Sequence, residues 1–455
     1  MSLLFCSSSP SFLFTKLTST RYLRMLAPVL VHVHHTTATK QSSFILSNSS
    51  SKIIEPPVAH QRRLAQYHPT IWGPMLIDSF STHYTHESYA SQLEGLKQIV
   101  SKALLVSSTK DDACSILKLA DLMQRLGVAY HFKKEIQAAI VTLVSSSTAS
   151  TTTNLQKVSL QFQILRQYGI SISSDLFFKD GEESLSNDVE GLLCLYEASH
   201  LGMPGEDVLE EAKSFRSKNL KQSLAKLNDE NLLKRVEQLL ETPVHWRMPR
   251  IEALNFINIY QRDDSSNLAL LELAELDYNL VQSFPLLYNS SNIKLNEKES
   301  NSLEKENPNN ITFAYVLQWE NLCKSYMIEA RWFYSRYTPT LEEYLENAWT
   351  SAENERGDVA KSVQCYMEEK GISEEEAHKN IKGLICYSWK KINEDSAKAT
   401  IPKSIVNLSL NMARTAHCIF QHGDGIGTSV GVTKDRLISL IANPIPIDDD
   451  NHVTQ

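Results

Sequence analysis

From position 87 the chain repeats apolar residues at intervals of three and four. Leu93, Leu96, Val100 and Leu104 share one face of a helix, and Ile116, Leu119, Leu122 and Leu126 repeat that stripe as far as Gly127. Leu160, Ile164 and Leu165 do the same before Gly169. A glycine just past a periodic run marks a helix end, because it can adopt the left-handed conformation there. The pattern continues over 189–201 and 208–215. A second block starts near Trp246, with helices predicted over 251–260, 268–281, 313–334, 341–349, 359–369, 374–393 and 405–420. No stretch alternates strictly between apolar and polar positions with hairpin turn signals, so the expected fold class is all-α. Residues 145–154 are Ser/Thr-rich and read as a loop. Residues 288–312 hold seven asparagines, many charges and few apolar positions, and they predict a polar insert of the surface-loop kind, which is unusual inside a helical domain.

With 455 residues, 42% of them hydrophobic and 22% charged, the chain has material for two or three globular domains. Lys and Arg total 45 against 53 Asp and Glu, a formal net charge of -8, which argues against a nucleic-acid partner. No apolar run approaches the roughly 20 residues that span a bilayer. The seven cysteines form no C-x-x-C pair and no even framework, which points to a reducing compartment without structural zinc.

The first 54 residues carry five basic residues, no acidic one, and 18 Ser or Thr. Such a Ser-rich, acid-poor segment reads as an organelle transit peptide, assigned here to 1–55 with import into the plastid (chloroplast) stroma and cleavage upstream of Arg62. A secretory signal fits less well, because the apolar stretch is broken by serines. An ordinary polar tail is the plain alternative.

Arg62 and Arg63 are followed, after eight residues, by Trp72 in RRLAQYHPTIWG. This string resembles the RR-x8-W motif at the mature start of plant terpene synthases, the plastidial monoterpene synthases in particular. The segments LMQRLGVAYHF, GLLCLYEASHLGMPGEDVLEEA, HWRMPRIEA, LLELAELDYNLVQ, YTPTLEEYLENAW, ERGDVAKSVQCYM and HGDGIGTSVGVTKDRLISLI are similar to the same family in the same order. The resemblance covers nearly all of 60–445. It implies an N-terminal helical domain over 60–243 without its own catalysis. It also implies a C-terminal class I helical bundle over 244–455, whose cavity binds a prenyl diphosphate with three magnesium ions (Mg2+, with Mn2+ as the alternative). The implied reaction is a lyase step, loss of diphosphate from geranyl diphosphate, or farnesyl diphosphate, followed by carbocation cyclisation in terpenoid biosynthesis. The implied protein is a monomer.

The chain departs from that family where the metal should bind. The D-D-x-x-D motif belongs between Gln282 and Trp319, where only the polar insert stands, and the R-D-R motif is absent from the same interval. Asp263 and Asp264 match a charged helix end rather than the metal motif, since no third Asp follows at the right spacing. Glu353 fits the last position of the second metal motif. Counting back, Trp349, Glu346 and Leu345 occupy its other positions, as though the preceding half were deleted and the C-terminal bundle left incomplete. Glu353 is therefore a remnant metal ligand by resemblance and an exposed helix carboxylate on the plain reading. Asp424 matches the loop that closes over the cavity, with Phe420 near a position where relatives often carry tyrosine. Trp246, Phe256, Tyr260, Trp319 and Trp332 read as core aromatics. Arg247 and Arg250 are expected to pair with acidic residues of the first helices of the domain. Two functions remain open. The chain is a monoterpene-synthase-like enzyme impaired by missing metal ligands, or a catalytically inactive helical protein (a truncated or wrongly joined gene product, or a partner of an intact synthase).

Overall fold

A computed structural model describes residues 80, 82–109, 113–146, 155–174, 189–224, 230–263, 266–295, 308–351, 360–421 and 431–447. Among these residues fifteen α-helices occur and no strand. They fall into two compact units. One takes 72–297, 389–415 and 435–455, and the described part of the other lies in 298–388 and 416–434.

The first unit begins with α1 (His86–Thr109), α2 (Ala113–Arg125), α3 (Lys133–Ser146) and α4 (Leu155–Gln167). Next come α5 (Val189–Ser199), α6 (Asp207–Leu224), α7 (Glu230–Glu241), α8 (Pro249–Tyr260) and α9 (Leu268–Leu295). The predicted stripe of α1 is buried throughout, against α9, α2 and α3. On α2 the buried residues are Ile116, Leu117, Ala120, Met123 and Leu126, while Leu119 and Leu122 are only partly covered. The single stripe read from the sequence is thus widened and rotated by one position, because α2 packs on α1, α3, α4 and α8 at once. Helix α9 has Leu270, Leu273, Ala274, Leu276, Tyr278 and Leu280 in the same core, so it is enclosed on more than one side.

Gly127 and Gly169 end α2 and α4 as expected, with φ of 80° and 79°. In each case the glycine N–H and the next N–H turn back on the last helical carbonyls: Gly127 to Gln124 at 3.1 Å and Val128 to Met123 at 3.0 Å, then Gly169 to Arg166 at 2.9 Å and Ile170 to Leu165 at 2.8 Å. This is the Schellman arrangement, and it delivers Val128 into the core. A Cβ on Gly127 would stand 3.1 Å from that of Ala253 on α8. Gly127→Ala should therefore lower stability by about 1–2 kcal/mol. Gly205→Ala, also at positive φ but with open space around it, should cost less. Urea denaturation of the two variants gives the comparison, and equal losses would show that the approach to Ala253 is unimportant.

In the second unit α10 (Pro308–Ser335) packs on α11 (Leu341–Ser351), which packs on α12 (Ser362–Lys370). Leu341, Tyr344, Leu345 and Ala348 are the buried face of α11. The Glu369 carboxylate accepts from the Leu341 N–H at 2.9 Å, which places negative charge at the helix N-terminus. Helix α13 (Glu374–Lys398) runs from this unit into the other. The chain closes with α14 (Lys403–Phe420) and α15 (Val432–Ile441).

The polar segment 288–312 differs from the single loop that its composition predicts. Helix α9 runs on through Pro285 to Leu295 and α10 starts at Pro308, leaving 296–307 outside the described residues. Asn and Ser cost an established helix only tenths of a kcal/mol each, and no glycine interrupts 286–295. Pro308 suits the first helical position, where its missing N–H is not needed.

Candidate functional site

Arg62, Arg63, Trp72, Glu353 and Asp424 all lie outside the described residues, as does Asp264. Asp263 is exposed just beyond α8, its N–H donating to the Tyr260 carbonyl at 3.1 Å, which is the helix-end role read from the sequence. On α11, Leu345 is a core residue and Glu346 is exposed, so these two neither face one way nor supply two oxygens. Among the described residues no group of three His, Cys, Asp or Glu converges as metal ligands would. Divalent magnesium takes oxygen ligands in close octahedral array, and the described residues do not offer them.

Phe256 and Tyr260 stack 6.3 Å apart within the core of the first unit, and Trp332 is half-buried on α10. Trp319 lies within α10. Arg247 pairs with an acid of α8, the first helix of the 244–455 domain, as expected, whereas Arg250 turns to Tyr278 of α9. Arg247 pairs with Glu252 and donates to the Gln238 and Thr242 carbonyls, both at 2.7 Å, closing the C-terminal end of α7. Arg250 lies 3.8 Å over the Tyr278 ring and donates to the Tyr278 carbonyl at 2.7 Å. Both connections are made to α8 and α9, the helices that directly follow these arginines in the chain.

The polar side of α9 gathers several contacts. Asp277 is buried and accepts from the Tyr130 hydroxyl at 2.5 Å and from His131 Nε2 at 2.8 Å. Burial and the Asp277 charge together push the Tyr130 phenol well above its ordinary range. Two residues further on, Asn279 donates to the Ile445 carbonyl at 2.8 Å and accepts its N–H at 2.7 Å. Gln282 donates to the carbonyls of Ser439 and Asn443 at 2.9 and 3.1 Å, which satisfies the C-terminal end of α15. The segment after Asp424 is thereby tied to α9.

A second cluster is ionic. Arg125 on α2 donates to Asp121 at 3.0 Å, to Glu252 at 3.3 Å and, most closely, to Glu197. Burial works against the guanidinium charge, but Glu197, Asp121 and Glu252 outweigh it and raise the Arg125 pKa well above its usual value. Glu197 has its pKa raised by burial, against the pull of Arg125. A small cavity here is lined by Arg125, Arg235 and Arg247 against Glu197 and Glu252, with Phe256 beside them. Each of the three arginines is already paired with a glutamate, Arg125 with Glu197, Arg235 with Glu190 and Arg247 with Glu252.

The third cluster is aromatic. Trp246 and Trp389 stack 5.4 Å apart at 10°, His200 meets Trp246 edge-on at 5.1 Å, and His245 meets Trp389 at 5.7 Å. Asn393 fixes a tautomer: its amide nitrogen donates to the His200 and Gly202 carbonyls, each at 3.0 Å, so its oxygen must accept from His245 Nε2 at 2.7 Å. His245 thus carries a proton on Nε2. Neither ring nitrogen of buried His200 has a hydrogen-bond partner among the described residues. Sequence reading found Trp246 but not the Arg125, Asp277 or Asn393 contacts, because their partners are remote in the chain and no local spacing signals them.

The family model for the terpene synthase N-terminal domain matches residues 71–240. The model for the terpene synthase metal binding domain matches 272–354 and, as a second piece, 350–391. The chain is 38% identical to "Probable terpene synthase 9" of Ricinus communis, over 90% of this chain and 96% of that protein. It is 34% identical to "Trans-ocimene synthase, chloroplastic" of Litsea cubeba, over 85% and 91%. Among solved structures it resembles limonene synthase with 2-fluorolinalyl diphosphate, with a TM-score of 0.73 over 85% of this chain and 100% of that one; at 24% identity this likeness bears on the fold. Isoprene synthase from grey poplar leaves, in complex with three Mg2+ ions and dimethylallyl-S-thiolodiphosphate, gives a TM-score of 0.68 at 26% identity, over 79% and 98%. The alignment with the Ricinus protein extends over 566 positions, although this chain has 455 residues, so more than a hundred positions of the relative face no residue here.

Proposed function

Because the chain belongs to the terpene synthase family, we propose that it derives from a plastidial monoterpene synthase and is impaired in the family's first chemical step. That step is magnesium-dependent loss of diphosphate from geranyl diphosphate, before cyclisation of the resulting cation; manganese and farnesyl diphosphate are the alternatives. Residues 1–55 are the transit peptide, and the stroma is the destination. Similar proteins are named chloroplastic. The C-terminal domain, 244–455, is read as truncated.

The observation that carries the proposal is the alignment of 566 positions against 455 residues, with the interval between Gln282 and Trp319 holding no D-D-x-x-D. Ionisation separates a multiply charged leaving group from a cation, and metal-bound carboxylates must stabilise that charge as it develops. Glu353 alone supplies one such oxygen pair and Asp424 a loop carboxylate. Arg62, Arg63 and Trp72 retain the family's N-terminal motif. The rest of the ligand set is missing from the sequence, and removing even one charge partner from a preorganised site costs on the order of a hundredfold in rate.

The test is gas chromatography of products from geranyl and farnesyl diphosphate with magnesium or manganese, beside an intact relative and the Glu353→Ala variant. Turnover at least about a hundredfold below the relative is expected. Robust turnover abolished by Glu353→Ala would show a working metal site and end the proposal. A second reading, a protein acting through association rather than catalysis, is favoured by the apolar side chains that α10 leaves exposed.

A further inference from the structure

Helix α10 is patterned the wrong way round for a helix of an isolated domain. Its buried described residues include Ser325 and Glu329, which face Asn347 of α11: the Asn347 amide donates to the Ser325 carbonyl and the Glu329 carboxylate, both at 3.2 Å. Several of its apolar residues point outward instead, with Tyr326 45%, Met327 57% and Tyr334 66% exposed, Cys323 exposed beside them, and Ala330 and Phe333 half-buried. Cys323, Tyr326, Ala330 and Phe333 follow at spacings of three, four and three, with Met327 and Tyr334 alongside. That is the period of 3.5 by which two helices keep a common seam. In the sequence the same spacing reaches back to Trp319 and Val316.

We propose that this face of α10 pairs with the same face of a second copy of the chain, antiparallel and about a two-fold axis near Ser325. Charge selects both the occupant and the direction. Glu320 and Arg331 are exposed, three turns apart, and lie on one edge of the stripe. An antiparallel two-fold pair brings like edges together with directions reversed, so each Glu320 lies beside the Arg331 of the other copy. A parallel two-fold pair would put the two like edges on opposite sides of the seam, so Glu320 and Arg331 would not meet. Within one copy Lys324 already reaches Glu320 at 2.6 Å, and in the pair that carboxylate sits between two cations.

The self-complementary patch closes on itself, which gives a dimer and no fibre. From Cys323 to Tyr334 the seam is about 16 Å long, and it covers less than the roughly 800 Å² per partner of a standard interface. The dimer is therefore reversible, with Kd on the order of micromolar. This replaces the monomer that family resemblance implies.

Sedimentation velocity of the full chain from about 1 to 100 μM should show a monomer–dimer equilibrium. Met327→Glu appears twice in the dimer and should weaken it by about a hundredfold. Glu320→Arg and Arg331→Glu should each weaken it several-fold. The double variant should recover the original affinity, which a folding defect cannot produce. Unchanged thermal melting of Met327→Glu separates lost pairing from lost folding. A monomer at every concentration, an undiminished Met327→Glu dimer, or a double variant weaker than either single one would overturn the proposal.

Discussion

Arg125→Ala should destabilise the first unit by about 4 kcal/mol near pH 7, a large part of the stability of a typical domain. Arg125 is the cation that Asp121, Glu197 and Glu252 share, and its removal leaves Glu197 and Glu252 buried with Arg247 reaching only Glu252. Isolated buried carboxylates cannot stay ionised cheaply, so Glu197, already raised by burial, should take up a proton. Two consequences separate this account from simple loss of side-chain packing. The deficit should shrink as pH is lowered toward 5, and Arg125→Met with Glu197→Gln should recover much of it, because the pair is then replaced by neutral groups of similar shape. Urea denaturation of the variants near pH 7 and pH 5 supplies both numbers. A loss below about 1 kcal/mol, or one independent of pH, would mean that the network contributes no more than a surface pair.

Acid should unfold the protein early, over the pH range in which histidine rather than carboxylate titrates. Burial holds His245 down at about 3, helped by the Arg414 charge, and burial also holds His200 well below its usual value, with Lys213 and His245 acting in the same direction. Above about pH 6.5 both histidines are neutral whether the chain is folded or not, and they contribute no pH dependence. Below it the unfolded chain binds protons that the folded one refuses, so stability falls as pH falls. Between its unfolded and folded values a histidine contributes a slope of about 1.4 kcal/mol per pH unit, so His245 should remove about 3 kcal/mol by pH 4.5, and His200 adds to the same limb. His200→Phe should flatten part of that limb at small cost near neutrality, because the His200 nitrogens form no hydrogen bond among the described residues to lose. Denaturant titrations at several pH values, for the parent chain and His200→Phe, are the measurement. Parallel pH profiles for the two proteins would refute the assignment to His200.

Much of the architecture was legible in the order of residues. Helix existence follows from apolar spacing and glycine stops: α8, α11 and α14 fall within a few residues of their predicted spans, and Gly127 and Gly169 end helices through the left-handed φ that only glycine adopts freely. The family was legible too, since its motifs are runs of neighbouring residues that a linear reading sees whole. Periodicity did less well wherever a helix has several neighbours. Leu117, Ala120 and Met123 are buried because α2 is packed on four sides, and no single stripe describes that. Composition also misjudged 288–295, where an established helix carries polar residues that would not start one.

The sequence by itself determined the helices, the membership in the family and the loss of the aspartate motif, because each is a property of residues near one another in the chain. Tertiary structure alone decided which ionisable groups are buried together. Arg125 meets Glu197 across 72 positions and Glu252 across 127, and Asn393 meets His200 across 193. Burial and Coulomb interaction depend on distance in space, and the chain records only distance along itself. The outward apolar seam of α10 belongs to both levels: its period is written in the sequence, but the choice of Ser325 and Glu329 for the inside was made by the Asn347 contact of the folded chain.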